Sequence, residues 1–170
     1  KTGLPPVSAV VMEYPQDEAA RNLDDEYFFG KDLLVCPLTL EDGTSREVYL
    51  PEGNWYNFFT GEKIEGGRRL VLEADWNEML VFARDGALVP VAEPVICVTE
   101  DTVFNITVKS FGTNKTGSCV LYEDDFVSFN YESLVAKKQI NVTVGDNGKF
   151  IVSGAKTSTK YHFLNCIVKD

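Results

Sequence analysis

The hydrophobic rhythm of the chain changes near Phe28. Before it, Val7 to Met12 is a compact apolar run, which predicts a strand buried on both faces. Asp17 then stands where it can cap a short helix through Glu18-Ala19-Ala20-Arg21, with acidic side chains near the positive end of the helix. A strand and a helical turn of this kind read as part of a larger α/β body rather than as the start of an independent domain. From Phe28 onward the period is two. Strands are predicted over Leu33–Leu38, Glu47–Leu50, Trp55–Phe59, Arg69–Glu73, Met79–Ala83 and Leu88–Val91. Turn chemistry parts them at Asp42-Gly43, Glu52-Gly53, Thr60-Gly61, Gly66-Gly67 and Asp85-Gly86. Short strands so closely spaced, with no helix between them, predict an antiparallel sandwich.

A second β block opens near Thr99. Phe104, Ile106 and Val108 alternate with Asn105, Thr107 and Lys109, as in a sheet with one wet face. Ile140, Val142 and Val144 repeat the pattern. Asp146-Asn147-Gly148 then predicts a hairpin into Lys149–Val152, because both residues of a tight hairpin turn must accept positive φ. Tyr161 to Val168 is a last strand candidate, and Pro90 to Pro94 is the expected boundary between the two β blocks.

Composition narrows the function classes. The chain has 170 residues, 44% hydrophobic and 25% charged, which is the make-up of a folded domain or two. No apolar stretch approaches the ~18 to 20 residues of a membrane helix, so no membrane partner is expected. The net charge of −10 repels phosphate backbones and argues against nucleic acid. Cys36, Cys97, Cys119 and Cys166 are scattered, and His162 is the lone histidine, so no zinc site and no cofactor site is expected. Buried thiols acting as small hydrophobes are preferred to disulfides. The opening at Lys1, without an initiator Met or a signal-like segment, is what an excised fragment or a processed chain would show.

Four motifs in order carry a family resemblance. They are Gly30-Lys31-Asp32-Leu33-Leu34-Val35-Cys36-Pro37; Val48-Tyr49-Leu50-Pro51 with Gly53-Asn54-Trp55-Tyr56-Asn57-Phe58 and Thr60-Gly61; Phe82-Ala83-Arg84-Asp85-Gly86-Ala87-Leu88-Val89-Pro90; and Leu121-Tyr122-Glu123-Asp124-Asp125. Together they resemble the region that follows the catalytic barrel in glycoside hydrolase family 31, the α-glucosidases and α-xylosidases. Ser8 stands where the family usually has an Arg, and Phe126 where it favours Gly.

The resemblance implies a mainly β chain of two antiparallel β-sandwich domains, preceded by a short α/β remnant of a (β/α)8 barrel. Residues 1–27 would be the end of the barrel, 28–94 the proximal sandwich and 95–170 the distal one. It also implies a parent enzyme that hydrolyses α-glycosides with retention, which needs two carboxyl groups ~5 Å apart. In the family both carboxyl groups are Asp side chains of the barrel, and by family order both lie upstream of Lys1, so the expectation is a non-catalytic accessory region whose partner is the barrel of its own chain. The alternative is a carbohydrate-binding β-sandwich module.

The remaining constellations favour bland readings. Asp75-Trp76-Asn77-Glu78-Met79 holds the residue types of the family's nucleophile motif in the wrong order, and reads as a loop or strand edge. Asp24-Asp25-Glu26 and Glu123-Asp124-Asp125 read as solvated turns, since neighbours on an extended chain point to opposite faces. Trp55 and Phe59 read as one core row. Trp76, with polar neighbours, is the candidate sugar contact. Asn105-Ile106-Thr107, Asn114-Lys115-Thr116 and Asn141-Val142-Thr143 are glycosylation sequons that chance in a Thr-rich β protein explains equally well.

Overall fold

The computed structural model describes residues 3–39, 44–75, 77–99, 101–112, 116–122, 137–144, 150–153 and 160–169. The chain is mainly β, with several antiparallel sheets. It forms two compact units, one running up to Asp85 and the other spanning Gly86–Val168.

In the first unit the strands are β1 (Val7–Ala9), β2 (Tyr27–Phe29), β3 (Leu33–Cys36), β4 (Ser45–Leu50), β5 (Asn54–Asn57), β6 (Lys63–Glu65), β7 (Arg68–Glu73) and β8 (Leu80–Arg84). A six-stranded sheet runs in the order β1-β2-β3-β8-β5-β6, and β4 pairs with β7 in a sheet of two. The core gathers Phe28, Leu34, Trp55 and Phe82 from the larger sheet with Val48, Leu50, Leu70 and Leu72 from the smaller. Strands β3 and β8 are continuous apolar runs because the register buries both of their faces: Val35 pairs with Val81 on one face, and Leu34 with Phe82 on the other.

Two predicted elements at the start come out differently. The run Val7 to Met12 is not one buried strand. It is the three-residue β1, with Val7 and Ala9 exposed, followed by one turn of helix, α1 (Val10–Glu13), of which Val10 is buried. An edge strand paired on one side with β2 and turned aside by α1 does not bury both faces. The helix expected after Asp17 is a 3-10 turn, Ala19–Asn22. Glu18, not Asp17, is the N-cap of that turn and makes no side-chain cap bond; Asp17 Oδ1 accepts the Ala19 N–H at 3.0 Å from one residue further out.

In the second unit, β9 (Leu88–Ala92), β10 (Phe104–Phe111) and β14 (Tyr161–Lys169) form one sheet. A second sheet consists of β11 (Thr116–Tyr122), β12 (Lys137–Val144) and β13 (Phe150–Ser153). Ile106, Val108 and Cys166 form a small core with Leu88, Phe104, Tyr161 and Phe163 against it. β12 and β13 pair antiparallel as the expected hairpin, though its turn, Asp146-Asn147-Gly148, lies outside the described residues. The units divide at Asp85 and Gly86, a few residues ahead of Pro90 to Pro94. The pairing of Val89, Pro90 and Val91 with Lys109, Val108 and Thr107 places that stretch within the second unit. Cys36 and Cys166 are buried and Cys97 is exposed, none of them in a disulfide. The expected burial thus fails at Cys97, which lies in the irregular link between β9 and β10, where Val95, Ile96 and Val98 are exposed as well.

Candidate functional site

The first unit holds an open groove of about 860 Å³, lined by Glu13 to Asp17, Tyr49, Glu52, Glu65, Gly66 and Gly67. Of its carboxylates, Asp17 and Glu13 are occupied by structural contacts. Asp17 Oδ2 accepts the Tyr49 hydroxyl at 2.6 Å while its Oδ1 accepts the Ala19 N–H, and Glu13 Oε2 lies 3.7 Å from Arg84 Nη2. Burial, and then the bond to Asp17, push Tyr49 up to about 12, so at neutral pH it is a hydrogen-bond donor. The arrangement is an acidic, hydroxyl-lined recess. It is suited to hydrogen bonding with a hydroxylated ligand or to facing a cationic surface.

Behind the groove lies an aromatic box around Arg84. The guanidinium carbon is 4.8 Å from the centroid of Phe28, 5.3 Å from Tyr14 and 5.9 Å from Trp55. Nε and Nη2 are buried without a hydrogen-bond partner among the described residues, and the ring faces stand in for one. Tyr14 and Glu13 lie at the end of α1, so this one side chain of β8 ties the N-terminal segment to the sheet. Trp55 is fixed from its far edge by Nε1–H donation to the Pro51 carbonyl at 2.8 Å. A side chain at Gly66 would put its Cβ 2.8 Å from Trp55 Nε1, which is why the turn into β7 carries glycine there.

A third cluster leaves no trace in the sequence pattern. Asp24-Asp25-Glu26 reads as a solvated turn, yet Glu26 is 4% exposed. The correction has a physical cause in Arg46 of β4, which reaches across the sandwich. Its Nη2 meets Asp25 Oδ2 at 2.7 Å and Glu26 Oε1 at 3.7 Å, and Nη1 donates to the carbonyls of Asp25 and Pro37. The Tyr49 N–H donates to Glu26 Oε1 at 2.7 Å, while Oε2 is buried with no partner among the described residues. Because Asp25 already neutralises Arg46, Glu26 is a surplus buried charge. Desolvation raises it to about 7. Burial also pushes the neighbouring Cys36 thiol up, keeping it a neutral core group.

The residues singled out from the sequence scatter, with no convergent site among the described residues. Trp76, the candidate sugar contact, and the acidic run Glu123-Asp124-Asp125 with Phe126 lie outside them. Asp75, Asn77 and Glu78 are exposed in the loop between β7 and β8, where the Glu78 N–H donates to the Asp75 carbonyl. Trp55 and Tyr56 are buried as core, but Phe59 is 56% exposed, so the expected core row is corrected at that residue. β5 ends at Asn57, whose Oδ1 accepts the N–H groups of Phe59 and Thr60 and turns Phe59 off the strand. Among the described residues no group of three His, Cys, Asp or Glu side chains is placed to hold a metal ion.

Comparison with known proteins bears on the first unit above all. Residues 3–89, just over half of the chain, match the family model described as the glycosyl hydrolase family 31 C-terminal domain. An α-glucosidase from Bacillus thermoamyloliquefaciens is 34% identical over 155 residues, which is 90% of this chain and 20% of that protein. A 1,6-α-glucosyltransferase from Sporosarcina globispora is 33% identical over 90% of this chain and 12% of its own length. Among solved structures, a family 31 dextranase from Flavobacterium johnsoniae in complex with glucose superposes with a TM-score of 0.76 at 32% identity, over 89% of this chain and 19% of that one. The chain therefore spans a fifth or less of the length of these relatives. On the match to residues 3–89, the chain belongs to glycosyl hydrolase family 31, of which it carries the C-terminal domain.

Proposed function

We propose that this chain is a non-catalytic accessory region of a retaining α-glycoside-processing enzyme, and that it supports a catalytic (β/α)8 barrel in the same parent chain. Residues 1–27 are read as the end of that barrel, the rest of the first unit, up to Asp85, as the proximal sandwich and the second unit, from Gly86, as the distal one. The observation that carries the reading is the welding of the N-terminal segment into the domain core. Val10 and Ala20 are buried in the cluster that holds Phe28 and Trp55, and Arg84 grips Tyr14 and Glu13. A segment so held transmits the rigidity of the sandwich to whatever it continues. Hydrolysis and glycosyl transfer both suit a retaining mechanism, because either water or a second sugar can take the covalent glycosyl intermediate.

The test is turnover of a nitrophenyl α-glucoside and a nitrophenyl α-xyloside. The purified chain is expected to release no nitrophenol while its parent enzyme does, and turnover by the chain alone would overturn the reading. A second reading, a carbohydrate-binding module, is favoured by the ring of Phe59, which is exposed and held edge-on to Phe58 at 5.3 Å on a tight turn. Retention of the chain on starch or xyloglucan, lost in Trp76→Ala or Phe59→Ala, would support it over the structural role.

A further inference from the structure

The six-stranded sheet has two apolar faces, and the core of the first unit uses one of them. That face carries Phe28, Leu34, Phe82 and Trp55 and is closed by the sheet of β4 and β7. On the opposite face the register lays Val7, Phe29, Leu33, Ala83 and Tyr56 in one row across β1, β2, β3, β8 and β5. Ala9, Tyr27, Val35 and Val81 form the next row. The centre of this face is buried, with Ala83 at 0% and Tyr56 at 2% exposure. Its β1–β2 end is open, with Val7 47% and Phe29 55% exposed. A sheet face meant for water alternates charged or polar residues onto it. Neither row holds a charged residue until Lys63, at the far edge opposite Tyr56. β1 is moreover an edge strand, whose bare backbone groups proteins ordinarily cover. Phe59 and Val71, exposed as well, sit on different elements and make no such row.

We propose that the β1–β2 end of this second face is a docking surface, and that its occupant is an apolar patch on the part of the parent enzyme that precedes β1 in sequence. The inference rests on the accessory reading given above. Two findings select the occupant. The relatives carry at least four fifths of their length outside the part this chain matches, and the matched model is a C-terminal domain, so that length lies largely before it in sequence. β1 is the strand nearest in sequence to that body, and Val7 lies on it.

Hydroxyl-radical footprinting of the full-length enzyme, read by mass spectrometry, provides the test. Phe29 and Phe59 are an internal matched pair, 55% and 56% exposed in this chain, with the same side-chain chemistry. The docking surface predicts that Phe29 is oxidised several-fold more slowly than Phe59, and that its protection is unchanged when the enzyme is diluted. Equal rates would overturn the proposal, and so would protection that disappears on dilution, which would assign the face to a second copy. Equal rates in an enzyme whose isolated chain is inactive would remove the docking surface and leave the accessory reading standing. Turnover by the isolated chain would remove the accessory reading.

Discussion

Glu26 shows most clearly how one residue sets a property of the first unit. Its carboxyl is buried beside an Arg46 that Asp25 already neutralises. Raised from 4.5 to about 7, chiefly by desolvation, it binds its proton more tightly in the folded than in the unfolded chain. Its contribution is therefore full below the unfolded value and lost as pH rises through about 7. In denaturant titrations at a series of pH values, Glu26→Gln should gain on the wild type by up to about 1.4 kcal/mol per pH unit from near pH 4.5 to near 7, then hold level. A difference that is flat in pH would contradict the surplus-charge account. Gly66 offers a second test. Gly66→Ala drives a methyl against Trp55 Nε1 and the Pro51 carbonyl, and should cost about 1–3 kcal/mol in urea unfolding.

At the scale of elements, Arg84 of β8 is the strap for α1. Replacing it with Met keeps much of the apolar stem and removes the cation from Phe28, Tyr14 and Trp55. We expect a loss of about 1–2 kcal/mol, with faster hydrogen exchange at the Tyr14 amide, which closes α1 on the Val10 carbonyl. Exchange unchanged at Tyr14 would mean that the strap holds nothing. The same elements explain what can be read in the sequence. Strands β3, β7, β8 and β9 are legible within a residue or two, because apolar runs and Gly-bearing turns are local signals. The short helical turn after Asp17 is legible for the same reason, though its N-cap is Glu18. Arg46 and Glu26 are not, since the two are joined by a reach across the sandwich that leaves no periodic mark in either segment. Phe59 misleads because the period of two runs through it, whereas the side chain of Asn57 ends the strand two residues earlier. The split of Val7–Met12 into β1 and α1 is hidden because an exposed apolar edge looks, in sequence, like a buried one.

For the whole molecule, these contacts describe a first unit whose core takes in a short N-terminal segment that the proposal assigns to the barrel. The family match identifies the domain, and the proposed function gives the buried N-terminal segment its role. A supporting region and a catalytic one respond differently to the same damage. The most direct measurement is the kinetics of the full-length enzyme carrying Arg84→Met, against the wild type, over a range of temperature. The accessory account predicts unchanged kcat and KM wherever the enzyme is fully folded, with activity lost at a lower temperature in step with unfolding. A fall in kcat at temperatures where the variant is fully folded would contradict it.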